Sequence, residues 1–177
     1  MSDTQWPRYE VFKQDSSDKP HQAVGSVHAP DHEAALLLAR DVFVRRPKCV
    51  SLWVAPAGAV FSRTQQELEN EPQTMLDNVP AGTTPQLYHI FRKSSQRRSM
   101  TFVDWLGQVE AQSPGQALYQ AMAQFDDEPA YVWWVVPEAA IVRSQEEDVE
   151  SLFALQQNKS YRHQSAYGTV APTRQRG

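Results

Sequence analysis

Cysteine is almost absent from this chain. Of 177 residues only Cys49 is one, so no disulfide framework can form within it, and a reducing, cytoplasmic setting is the expectation. Glycine is scarce as well. Seven glycines leave little material for phosphate-cradling loops, and none of the patterns G-x-G-x-x-G, G-x-x-x-x-G-K-[ST] or G-x-S-x-G occurs. No apolar run approaches the roughly 20 residues that a membrane span needs, and the opening MSDTQWPRYE lacks the basic and apolar stretches of a secretory signal. Charge of one sign is also lacking. The formal net charge is −4, divided as −3 over residues 1–79 and −1 over the rest, too mild to point to nucleic acid or any other highly charged partner.

What the chain does have, it has twice. YEVFK at Tyr9–Lys13 returns as YHIFR at Tyr88–Arg92, and GSVHA at Gly25–Ala29 returns as GQVEA at Gly107–Ala111. Ala35, Leu36, Ala39 and Phe43 return as Ala117, Leu118, Ala121 and Phe125, and LWVAP at Leu52–Pro56 as WWVVP at Trp133–Pro137. The offsets run from 79 to 82, so a unit of that length is duplicated, too long for a solenoid repeat. Two such units in one chain can build internally what separate chains build as a symmetric dimer. A shared core suits them, because a unit this small buries a smaller fraction of its surface than the whole chain can.

Each unit begins with a strand rich in aromatic and β-branched residues, Tyr9–Gln14 and Leu87–Lys93. After a polar hairpin loop a second strand runs through Ala23–His28 and Met100–Glu110. Gly25 and Gly107 stand at the same place in it, marking a bulge or a close backbone approach. A helix follows, with Asp31 as N-cap and Glu33 in its first turn in one unit, and with Ser113 as N-cap and Pro114 at the first helical position in the other. Its apolar stripe is the kind that packs on a sheet. A third strand, Val50–Ala55 and Tyr131–Val136, ends at proline, and the segments Ala57–Ser62 and Glu138–Ser144 read as either strand or helix. The fold expected is α+β: two similar ββαβ units, antiparallel sheets each with a helix on one face, arranged as an intramolecular pseudodimer. The divisions expected are a first unit at 1–67, a linker at 68–85, a second unit at 86–170 with a short helix and a strand at Ser160–Gln164, and a frayed tail at 171–177.

Catalytic patterns are thin. His28 and His32 are separated by Pro30 at a strand-to-helix boundary, so they do not share a helical face, and the second unit has Glu110 and Pro114 instead. No glutamate has a histidine three residues on, which removes the carboxylate–histidine pairs of a di-iron bundle. Cys49 precedes an apolar strand and matches Ala130, the position of a small half-buried residue. Arg45, Arg46 and Lys48 follow the first helix, where they complement its C-terminus. Asp126, Asp127 and Glu128 take their place in the second unit, an inversion of sign that argues against a nucleic-acid surface and suits an asymmetric partner or a contact between units. In the strand containing Trp133 and Trp134 the two rings point to opposite faces. Trp134, matching Trp53, is expected in the core. Trp133, matching Leu52, is the expected contact residue.

Three stretches then carry a resemblance. WPRYEVFKQ at 6–14, HQAVGSVHAPDHEAALLLARDVFVRR at 21–46 and SLWV at 51–54 closely resemble the PaaB family, a component of the phenylacetyl-CoA epoxidase complex of aerobic phenylacetate breakdown. KSYRHQSAY at 159–167 resembles the family's closing K-x-Y-R-H-x-x-x-Y stretch, here only after the second copy, while 87–145 resembles the family only through the duplication. The resemblance implies a non-catalytic component with no cofactor of its own, bridging partners that hold the di-iron, flavin and iron–sulfur centres: ferritin-like oxygenase subunits and their reductase. The partner-facing candidates are Arg45, Arg46, Leu52, Trp133, Tyr161 and Arg162. The resemblance carries over no catalytic residue, and neither nucleic acid nor membrane is an expected partner. A paralogue serving another oxygenase, and a small-molecule-binding module with a pocket near Trp105, Trp133 and Trp134, remain open beside it.

Overall fold

A computed structural model of the chain describes residues 5–44, 49–70, 83–96, 103–145 and 153. The first unit comprises β1 (Arg8–Gln14), β2 (Gln22–His28), α1 (His32–Phe43), β3 (Ser51–Pro56), a 3₁₀ turn (Ala57–Ala59), β4 (Phe61–Thr64) and α2 (Gln65–Asn70). The second comprises β5 (Gln86–Lys93), β6 (Asp104–Ala111), α3 (Pro114–Gln124), β7 (Val132–Pro137), a 3₁₀ turn (Glu138–Ala140) and β8 (Val142–Arg143). The expected strands therefore stand within a few residues of their bounds, and the ambiguous segments after each proline are a turn followed by a short strand.

Local signals account for the helices. Asp31 Oδ1 accepts from Ala34 N at 2.8 Å, and Ser113 Oγ accepts from Gln116 N at 3.1 Å with Pro114 opening the helix. α2 starts on a reciprocal capping box: Glu67 Oε2 accepts from Thr64 N at 2.7 Å and Thr64 Oγ1 accepts from Glu67 N at 3.2 Å. That helix occupies the start of the expected linker, so no tether begins at Leu68. Residues 71–82, the expected strand at 160–164 and the expected tail lie outside the described residues.

Gly25 and Gly107 serve both of the purposes expected of them. The pairing of β1 with β2 shifts between Val11 and Phe12, opposite Gly25, and that of β5 with β6 shifts between Ile90 and Phe91, opposite Gly107. At Gly25 φ is +143°, and a Cβ there would lie 2.8 Å from the Phe43 ring. Only glycine lets this ring from α1 lie against the strand.

The strands form one eight-stranded antiparallel sheet in the order β4-β7-β5-β6-β2-β1-β3-β8. This differs from the expected pair of self-contained sheets in two respects, the joining of the halves into one sheet and the exchange of a strand. The fourth strand of each unit pairs with the other unit: β4 lies along β7, from Phe61 opposite Val135 to Thr64 opposite Val132, and β8 lies along β3. Between the halves, β2 and β6 pair at Gln22 and Asp104, where Trp105 N donates to His21 O at 2.8 Å and Ala23 N to Val103 O at 3.0 Å.

Side-chain alternation along the strands divides the core into three. Tyr9, Val11, Leu52 and Val54 pack under α1 with Ala35 and Ala39. Tyr88, Ile90, Trp133 and Val135 pack under α3 with Ala117, Leu118 and Ala121. The opposite faces supply Phe12, Trp53, Phe91 and Trp134 to a central layer shared by both units, where Phe12 and Phe91 stack at 4.2 Å. Burial on both faces explains why LWVA and WWVV are continuous apolar runs. The exchange reaches the outer layers too: Phe61 and Leu68 of the first unit pack in the layer under α3, and Val142 and Phe153 of the second in the layer under α1.

Candidate functional site

Among the described residues, both buried histidines lie where the units meet. His89, on β5 and 1% exposed, donates from Nε2 to Glu138 Oε2 in the turn after β7. Arg143, on the exchanged β8, grips the same carboxylate bidentately at 2.6 and 2.7 Å. Its guanidinium lies 4.9 Å from the centre of the Trp53 ring, and His21 stacks on that ring at 3.5 Å while its Nε2 reaches Ser51 Oγ at 3.0 Å. Trp105 meets Trp53 edge-on at 5.7 Å.

The electrostatics follow from burial and these contacts. Burial, reinforced by Arg143, pushes the His21 imidazole down to about 4, so it is neutral at physiological pH. Burial also lowers His89, against the opposing pull of Glu138. The hydrogen bonds from Arg143 hold Glu138 down to about 2, a fixed negative charge. The cluster thus joins residues before β2, on β3, β5 and β8, and in the turn after β7. With His89 enclosed between Trp53 and Trp105, the cluster fastens strands of the two units together.

A second arrangement sits at the end of α3. Arg92, 4% exposed, donates from Nη1 to Phe125 O at 2.7 Å and to Asp127 Oδ1 at 2.8 Å, and from Nη2 to Glu128 at 3.4 Å. An acidic run at a helix C-terminus opposes the helix dipole, and this buried cation compensates it. Beside it lies an open groove of about 360 Å³ between α2 and the end of α3, floored by Leu68, Met122, Phe125 and Trp133.

The two faces of the tryptophan strand are the reverse of the expectation. Trp133 (4% exposed) and its match Leu52 (1%) lie in the layers beneath α3 and α1, covered by those helices and by the exchanged segments, and Trp53 and Trp134 form the central contact between units. The reason is that the helices bury one sheet face and the opposite unit buries the other, so a doublet of tryptophans fits either way round. Trp105 and Trp134 belong to the packed central layer, and of the three rings near which a pocket is expected only Trp133 lines the groove. Arg45, Arg46, Tyr161 and Arg162 lie outside the described residues. His28 Nδ1 donates to Trp6 O at 2.9 Å, whereas the His32 ring meets Tyr9 edge-on, so they serve separate contacts. Burial pushes the Cys49 thiol up to about 11, which keeps it protonated and unreactive at neutral pH. Among the described residues no cluster of metal-ligating side chains is present, and no helix is long and apolar enough to cross a membrane.

No motif marks His21, His89, Glu138 or Arg143. The repeat itself holds their signal: His89 stands against Glu10, Glu138 against Ala57 and His21 against Val103. These differences between the copies converge on one seam.

Comparison with known proteins gives a consistent result. The sequence model of the family described as phenylacetic acid degradation B, PaaB, matches the chain twice, at residues 5–78 and 85–174. The B component of the 1,2-phenylacetyl-CoA epoxidase of Escherichia coli strain K12 is 40% identical over 67 residues, a stretch covering 38% of this chain and 70% of that one. No solved structure matches the chain.

Proposed function

The chain belongs to the PaaB family, and from that premise we propose that it is a non-catalytic bridging component of a multicomponent phenylacetyl-CoA epoxidase, a pseudodimer of the family's unit written into one chain. The observation that carries this is the double match: two family units in one sequence, each giving its fourth strand to the other. Reciprocal exchange is how two copies of a small unit become inseparable. On this reading the first unit runs on from 67 through α2 to Asn70, with that helix bound to the second unit, and the second unit spans 86–170.

On this reading the chemistry belongs to the partners. Ferritin-like oxygenase subunits hold a di-iron centre, a reductase supplies electrons through flavin and iron–sulfur groups, and this chain contributes surfaces in a cytoplasmic assembly. The site geometry supports that division, because the buried histidines and the half-exposed Glu138 carboxylate engage groups that join strands, and the one thiol is held protonated. Arg45, Arg46, Tyr161 and Arg162 remain the proposed contact residues. Leu52 and Trp133 act from below, by supporting the helices.

The test is co-purification. A tagged chain expressed with candidate ferritin-like oxygenase subunits and reductase is expected to elute with them in fixed stoichiometry. If it elutes alone beside those soluble partners, the bridging reading is wrong.

A further inference from the structure

We propose that the groove between α2 and the end of α3 docks a segment of a partner protein carrying one aromatic or large aliphatic anchor flanked by lysine or arginine, an inference that rests on the bridging reading above. The chain itself supplies the template. In the first unit the equivalent place is filled. Phe153, helical and 5% exposed, lies in one apolar cluster with Phe43, Val44, Cys49 and Leu52. By the repeat, their counterparts in the second unit are Phe125, Asp126, Ala130 and Trp133, and all of these line the groove. Here Leu68 of α2 covers only part of the floor, Met122 remains 36% exposed, and a volume of about 360 Å³ stays open. A site that a phenylalanine fills in one unit is thus only partly covered, by Leu68, in the other.

Charge selects the occupant. In the first unit the sequence beyond Val44 is basic, Arg45, Arg46 and Lys48, and the sequence leading to Phe153 is acidic, Asp148 and Glu150. In the second unit the signs at the helix end are inverted. Asp126 replaces Val44, Asp127 and Glu128 follow it, and Glu69 adds a carboxylate from α2. Arg92 engages Asp127 and Glu128, while Asp126 and Glu69 are exposed on the rim. An apolar floor with an acidic rim repels nucleic acid and other polyanions and favours an anchor with basic flanks, through complementarity that sets specificity and association rate.

The experiment uses the full chain and two synthetic peptides built on Ser-Leu-Phe-Ala-Leu, the sequence at 151–155, one flanked by arginines and one by glutamates. The arginine-flanked peptide is expected to bind saturably by calorimetry. The glutamate-flanked peptide should bind at least about 10-fold more weakly, and Glu69→Arg combined with Asp126→Arg should cost the first peptide a similar factor. Both substitutions are at exposed positions, and an unchanged thermal transition confirms that the variant is folded. Equal binding of the two peptides, indifference to the charge reversals, or no binding at all overturns the proposal. Co-purification of the unmodified chain with the oxygenase subunits is scored alongside. Its persistence when peptide binding fails overturns the groove alone, and its absence when peptide binding succeeds overturns the bridging reading.

Discussion

The two units share a core and differ in their polar groups. Tyr9 and Tyr88, Gly25 and Gly107, Phe43 and Phe125, and Trp53 and Trp134 occupy matching places in matching layers. At the polar positions the units part. Lys13 on β1 pairs with Asp15 in the adjoining loop, but its match Arg92 is buried and caps α3. Glu10 lies beside Arg8 at 3.2 Å, but its match His89 is enclosed at the seam with Glu138 and Arg143. A duplicated chain can hold its fold by keeping the apolar positions while each half takes on a separate task through its charges. A dimer of identical chains cannot do this.

The largest effect expected comes from breaking what the units share. Phe91→Ala removes the ring stacked on Phe12 in the central layer and should cost about 3–5 kcal/mol. Because that layer belongs to both halves, Trp53 in the first unit and Trp133 in the second should lose protection in a single transition, read by denaturant titration with hydrogen exchange. Two separated transitions would show the halves to be independent.

Next in size is the effect of pH. The folded state holds His21 at about 4, whereas the unfolded chain protonates it near 6.5. The unfolded state therefore binds more protons as pH falls through that window, and up to about 3 kcal/mol of stability should be lost between pH 6.5 and 4. Above pH 6.5 the residue contributes no slope. His21→Phe, which keeps a ring on Trp53, should flatten this limb in urea titrations run across the range. The matching position in the second unit is Val103, which does not titrate, so what remains of this limb in the variant is expected from His89, whose imidazole burial also lowers.

Glu138→Ala should cost about 2 kcal/mol by leaving buried His89 without its acceptor. The matching residue in the first unit is already alanine, Ala57, so this loss, read by urea titration, isolates the seam's asymmetry. The smallest effects belong to the matched caps. Asp31→Ala and Ser113→Ala should each cost about 1 kcal/mol, and thermal shifts of similar size would confirm that the helix starts kept their equivalence.

Much of the fold can be read from residues whose signals are local. The caps at Asp31 and Ser113, the prolines ending β3 and β7 and the aromatic strands are of this kind. Thr64 and Glu67 carry the same sort of signal for α2, in the capping-box spacing. The strand exchange is not readable in this way. FSRT and VR have the same propensities whichever strand they pair with, and so short a strand does not encode its partner. The facing of Trp133 and Trp134 escapes sequence reading for a related reason. Alternation assigns faces only where one side is polar, and here both are buried. The seam cluster is half visible, since the copies' differences mark His21, His89 and Glu138 without showing that they meet.

The exchange that makes the two copies one body is tested most directly by a cross-link. Thr64 on β4 lies opposite Val132 on β7, at a spacing of about 4.5–5.5 Å between paired Cα atoms that a disulfide spans. In a Cys49→Ala background, Thr64→Cys with Val132→Cys should oxidise to a monomer carrying an internal bond, seen as a faster-migrating band that reduction reverses. Free thiols that persist under oxidant, or cross-links formed only between chains, would contradict the exchange and with it the reading of this chain as a dimer in one.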